Sequence, residues 1–232
     1  MQDEVCLITG VGPGTGSALA RRFSETYRVA MVARSAERLA ELEQELPGAK
    51  AFPCDVTDKG ALEDTVASIR EVMGKPSLLV HNAVGGAFGD VLKIDPERFE
   101  LNFQINAMSL LHLIQALGPD MVEAGHGAIL ATGNTSAYRG RSNFAGFAPT
   151  KAAQRILLES AARHLGPKGV HVSYVAIDAV IDLSWTRQAF PDRPDEFFCK
   201  PKDIAQECYR IAHQARSAWS FDVVIRPYGE NW

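Results

Sequence analysis

Residues 134–151, NTSAYRGRSNFAGFAPTK, gather the side chains of this chain best suited to chemistry. Lys151 is a cation that burial can bring toward neutrality, where it can hold or yield a proton. Asn134 carries an amide that can donate an N–H to a carbonyl oxygen, Tyr138 a phenol and Ser136 a hydroxyl. Phe147 precedes Lys151 by four residues, so on a helix the two share a face. A benzene ring brings no ionisable proton to that face. The set as a whole suits polarising a carbonyl and moving a proton at its oxygen.

A second set lies near the other end. Residues 9–16 read TGVGPGTG, between a strand-like run (5–9) and a helical one (17–25). Gly10, Gly14 and Gly16 let the backbone turn tightly and approach a pyrophosphate. Thr15 and Gly16 sit where a helix opens with free N–H groups and the positive end of its dipole. No register satisfies GxGxxG, and no GK[ST] follows, which excludes a P-loop. Strand, glycine loop and helix in one βαβ unit point to a nucleotide.

The elements that must position these residues alternate along the chain. Apolar runs at 5–9, 29–33, 51–54, 77–81, 128–132, 170–176 and 221–225 read as strands. Helical patterns fall at 36–46, 59–73, 96–124, 151–165 and 201–214, the third a long helix with Gly118-Pro119 as a candidate break. Near-continuous apolar strands between helices imply an α/β fold: one Rossmann-type, doubly wound parallel sheet of about seven strands, covered on both faces. No composition break or linker divides residues 1–232, so a single dinucleotide-binding domain is expected. Residues 191–195 (PDRPD) read as a surface segment able to cover a crevice.

Bulk properties bound the function. The 232 residues carry net charge −4 and are 46% hydrophobic, which leaves no broad basic field for nucleic acid or an anionic membrane. No run approaches the ~18–20 apolar residues of a membrane span. The opening MQDEVCLITG places acids where a secretory signal needs positive charge, so a cytoplasmic setting is expected. Cys6, Cys54, Cys199 and Cys208 form no CxxC pair, and the histidines fit no metal spacing.

The spacing GxxxGxG after Thr9 resembles the short-chain dehydrogenase/reductase family, and further motifs agree. Asp55-Val56 resembles the family's Asp-Val dipeptide after the third strand, whose Asp meets the adenine. His81-Asn82-Ala83-Val84 resembles its Asn-Asn-Ala-Gly element and keeps Asn82 and Ala83. Asn106 stands where the family has its helical active-site Asn, and Lys151 matches the Lys of YxxxK. The resemblance runs from about residue 5 to residue 226. It implies hydride exchange between a nicotinamide and a small carbonyl or alcohol. In the family a Tyr moves the proton, Lys lowers that phenol's pKa and binds the nicotinamide ribose, Ser holds the substrate oxygen, and Asn supports a water chain to Lys. At the Tyr position this chain has Phe147, and at the Ser position Asn134. The second strand ends in Ala33-Arg34, without the acid that reads a ribose 2′-OH. Arg34 is placed for a 2′-phosphate, so NADP(H) is the expected cofactor. Ser35 reads as the next helix's cap.

Loss of the phenol leaves the proton source open among Lys151, Tyr138, Asp178, Asp182 and Ser136 used in place of Asn134. Three readings follow: an NADP(H)-dependent oxidoreductase with an altered proton relay; a catalytically inactive NADP(H)-binding sensor or partner protein; a non-redox enzyme that keeps the nucleotide as scaffold. The resemblance also implies a homodimer or homotetramer assembled through the helices at 96–124 and 151–165. The C-terminal RPYGENW is a candidate extension of those contacts.

Overall fold

The computed structural model describes residues 3–229, so Trp232 and its neighbours in the C-terminal stretch lie outside the described residues. Seven parallel strands form one sheet in the order β3-β2-β1-β4-β5-β6-β9. They are β1 (Val5–Thr9), β2 (Arg28–Ala33), β3 (Lys50–Pro53), β4 (Pro76–His81), β5 (Gly127–Gly133), β6 (Val170–Ile177) and β9 (Asp222–Ile225). The helices are α1 (Thr15–Ser24), α2 (Ala36–Glu45), α3 (Lys59–Met73), α4 (Pro96–Phe103), α5 (Ser109–Ala124), α6 (Ala148–Leu165), α7 (Ser184–Ala189) and α8 (Pro201–Ala212). A small two-stranded ladder, β7 (Val180–Ile181) with β8 (Phe198–Cys199), lies between β6 and α8.

Successive strand residues face opposite sides, and each side has its own core. Val5 and Leu7 of β1 join Ala30, Val32, Leu79 and Ile129 under α3, α5 and α6. Cys6 and Ile8 join Val29, Met31, Val80 and Leu130 under α1, α2 and α8. Both faces are therefore buried, which is why the strands read as unbroken apolar runs. The chain steps from β1 outward to β2 and β3, then returns past β1 to β4. The C-terminal ends of β1 and β4 thus flank the point where strand order reverses, and a crevice opens there.

One expectation needs correction. Gly118-Pro119 does not break its helix: α5 runs through Pro119, pinned by the buried Leu113, Leu117 and Met121. The irregularity lies earlier, in a π-helical turn at Gln104–Met108. There the Ser109 hydroxyl donates to the Ile105 carbonyl at 2.6 Å, and buried Asn106 turns toward α6. In addition, α7, β7 and β8 carry no pattern long enough to read, and residues 181–185, from the end of β7 into α7, line the crevice.

Candidate active site

One cavity of about 870 Å³ runs across the C-terminal sheet edge. Its lining includes Gly10, Gly14, Thr15, Gly16, Arg34, Asp55, Val56, Asn82, Ala83, Asn134, Phe147 and Lys151. Asn106 and Tyr138, the other expected site residues, do not line it.

At the glycine end, Gly10 adopts φ +70°, and a Cβ there would sit 2.5 Å from the Ala83 backbone. A Cβ on Gly16 would lie 2.2 Å from the Gly10 carbonyl, so the turn closes only without side chains. Ser17 fixes the loop by donating both its N–H and its hydroxyl to the Gly12 carbonyl, at 2.9 and 2.6 Å. No side chain caps the N-terminus of α1, and no acid stands in its first turn. That leaves a positive helix end facing the cavity. Asn82 pins the loop from below: its Nδ2 donates to the Gly10 carbonyl at 2.8 Å, and its Oδ1 accepts from Thr132 Oγ1 at 2.9 Å.

Arg34 and Arg38 border the same end, opposite Asp55 and Thr57. The N–H and hydroxyl of Thr57 both donate to Asp55 Oδ1. Those bonds, with the Arg34 charge, hold the Asp55 carboxyl below its ordinary range despite partial burial. Ser35 caps α2 by accepting from the Arg38 N–H, while Arg34 next to it stays exposed on the cavity wall.

At the other end the floor is Lys151, which is 2% exposed. Its Nζ donates to Gln154 Oε1 at 2.9 Å and to the Thr132 carbonyl at 3.3 Å. No carboxylate among the described residues pairs with it, and burial brings the ammonium down from 10.5 to about 7. The Phe147 ring covers it, with its centroid 5.9 Å from Nζ. Phe147 is itself held by Phe88 and Phe144, at centroid separations of 5.2 and 6.1 Å. Beneath the site, His81 bonds Thr9 Oγ1 through Nδ1 at 2.9 Å. Burial first, and the Lys151 charge second, push this imidazole down to about 3, so it stays neutral.

Asn134 is more committed than its sequence position suggests. Its Nδ2 donates to the Ile177 carbonyl at 2.9 Å, and its Oδ1 accepts from the N–H and hydroxyl of Ser136. One amide N–H is left for the cavity. Ser136 serves this clamp. Tyr138 lies elsewhere: its hydroxyl donates to Asp222, and the Arg155 guanidinium sits over its ring at 5.2 Å. Asp182 lines the cavity, but Arg187 holds it in a two-pronged ion pair at 2.7 and 2.9 Å and keeps its carboxyl ionised below the ordinary range.

Asn106 is fully buried behind the floor. Its amide bonds the Gly85 backbone, Asn102 Oδ1 and Thr150 Oγ1. The interval between Asn106 and Lys151, where the resemblance implies water, is spanned by a side chain the sequence reading passed over. Gln154 Nε2 donates to the Asn106 carbonyl at 2.8 Å, while Gln154 Oε1 accepts from Lys151. The available signal was helical spacing: Gln154 is three residues past Lys151 and shares its face.

The cover comes from residues 181–185 rather than 191–195. Ile181, Leu183, Ser184 and Trp185 line the cavity, and a Cβ on Gly14 would fall 2.3 Å from Leu183 Cδ2. Arg187 ties the cover together by also pairing with Asp195 at 2.6 Å.

Comparison with known proteins agrees with this fold. Residues 4–188 match the family model described as short chain dehydrogenase. The chain is 29% identical over 230 residues to the 7alpha-hydroxysteroid dehydrogenase of Escherichia coli K12, covering 94% of this chain and 90% of that protein. An uncharacterized oxidoreductase of Staphylococcus epidermidis is 25% identical over 178 residues, covering 76% of this chain and 77% of that protein. Among solved structures, a metagenomic short-chain oxidoreductase in complex with NADP superposes with a TM-score of 0.85 at 26% identity, covering 99% of each chain. A NADPH-bound short-chain oxidoreductase of Pseudomonas aeruginosa PAO1, which contains an atypical catalytic center, shares the fold with a TM-score of 0.88. It is 22% identical, over 100% of this chain and 98% of that one.

Proposed function

The chain belongs to the short-chain dehydrogenase family, and on that footing we propose that it is an NADP(H)-dependent oxidoreductase acting on a small carbonyl or alcohol. The observation that carries the reading is a single cavity joining an uncapped helix end and Arg34 to a buried, near-neutral Lys151. The residues present fit a phosphorylated dinucleotide. Thr15, Gly16 and the open side of Gly12 suit the pyrophosphate, Arg34 and Arg38 a 2′-phosphate, and Asp55-Val56 the adenine. Bound there, the nicotinamide supplies or accepts the hydride.

The protein supplies the proton. Phe147 stands at the family's Tyr position and cannot ionise. Of the ionisable groups on the cavity lining, Lys151 is buried against Phe147 without a carboxylate partner among the described residues, whereas Arg187 holds Asp182 in an ion pair. Near pH 7 Lys151 holds its proton about half the time, which suits transfer in either direction. The free Asn134 N–H polarises the substrate oxygen. Behind Lys151, the Gln154 amide fixes Nζ and replaces mobile water with a group that has no acidic proton.

Fluorescence titration with NADPH and NADH, followed by a ketone and aldehyde panel read at the nicotinamide absorbance band, tests this. NADPH should bind more tightly than NADH. Arg34→Ala should weaken NADPH by about 10–100-fold while leaving NADH within a few-fold. No binding of either nucleotide would overturn the proposal. NADPH binding with no turnover across the panel would favour the sensor reading, which the proton-free Phe147 ring supports. Phe147→Tyr should then raise carbonyl reduction by about 10²–10⁴. The single change is the cleaner test, because Asn134→Ser would also release Ile177. We also propose assembly of two or four copies through α5 and α6, checked by light scattering.

A further inference from the structure

A second cavity of about 300 Å³ adjoins the first and shares Asn134 and Ala179 with it. Arg139, Arg141, Phe144, Asp178 and Phe197 are on its wall. The Arg141 guanidinium makes no hydrogen bond or ion pair with any described residue. Arg139 reaches Asp178 Oδ1 only at 4.0 Å. That carboxylate is already engaged: Oδ1 accepts from Thr135 Oγ1 at 2.5 Å, and Oδ2 lies 3.7 Å from Arg226. The lining thus offers two guanidinium groups against one occupied carboxylate, with two aromatic rings also on its wall, and it shares Asn134 with the first cavity.

From this geometry we infer that the second cavity binds the anionic tail of the substrate. Its carbonyl would then lie by Asn134 and Lys151, and a carboxylate or phosphate would be gripped by Arg141 with Arg139. The reading rests on the oxidoreductase assignment for the position of the carbonyl, but the anion site itself does not. A planar guanidinium without a partner suits two-pronged capture of such a group, and the Phe144 and Phe197 rings suit the short apolar link between the two ends.

Isothermal calorimetry on the protein alone and saturated with NADP⁺, where a ketone cannot be reduced, tests it. Two matched pairs serve as probes: 4-oxopentanoate with its methyl ester, and dihydroxyacetone phosphate with dihydroxyacetone. The charged member of at least one pair should bind at least tenfold more tightly than its neutral counterpart, and the pair that discriminates identifies the anion. Arg141→Gln should erase that preference, and Arg139→Gln should reduce it. Equal binding within both pairs, or a preference that survives Arg141→Gln, overturns the inference. Tight NADP⁺ binding without anion preference sinks this inference alone. Anion preference without nicotinamide binding sinks only the oxidoreductase reading.

Discussion

At the scale of single residues, the site is governed by one amine whose proton affinity is set by burial. In the proposed reaction, reduction draws its proton from Lys151, so its rate should fall as pH rises through about 7. Alcohol oxidation needs the neutral amine and should rise through the same point. Initial rates in both directions against pH check this, and Lys151→Met should remove the inflection. Gln154 offers a finer control. Gln154→Glu would place a carboxylate beside Nζ, moving the inflection up by about 1–3 pH units. Gln154→Leu removes an acceptor and should move it down. An inflection unmoved by both changes would mean that Lys151 is not the titrating group.

At the scale of elements, the π-helical turn between α4 and α5 couples the floor to α6. Asn106→Ala would strand the Gly85 N–H and the partners on Asn102 and Thr150, at a cost of about 2–4 kcal/mol by urea unfolding. The inflection near pH 7 should persist, because Gln154 uses the main-chain carbonyl of residue 106. The sheet was legible because its central strands are buried on both faces, and α3 because Asp58 caps it and Gly74 ends it. The π turn was not, since it depends on partners 21 to 44 residues away. The nucleotide end was legible because backbone geometry demands glycine at fixed spacing. The commitments of Asn134 and Tyr138 depend on Ile177 and Asp222, far along the chain, and no local pattern announces them.

At the scale of the molecule, the buried ionisable groups shape stability against pH. His81 titrates near 3 folded and 6.5 free, so the unfolded chain binds the extra proton in between. Stability should drop as pH falls through that window, by about 1 kcal/mol per pH unit, and His81→Asn should flatten this limb. Lys151 acts in the same sense between about 7 and 10.5, where stability should rise with pH. The buried thiols of Cys6 and Cys208, pushed up by burial, oppose it once free thiols ionise. Urea midpoints across pH 4–10 should therefore peak on the alkaline side of neutrality, near pH 8–9. No described helix is long and apolar enough to cross a membrane. The glutamine lodged behind the lysine also bears on the order of events in the proposed reaction. On that proposal, with an amide bonded behind the amine, fresh hydrogen ions would arrive through the doorway by which product departs. A slow-leaving product would then postpone reloading of the amine.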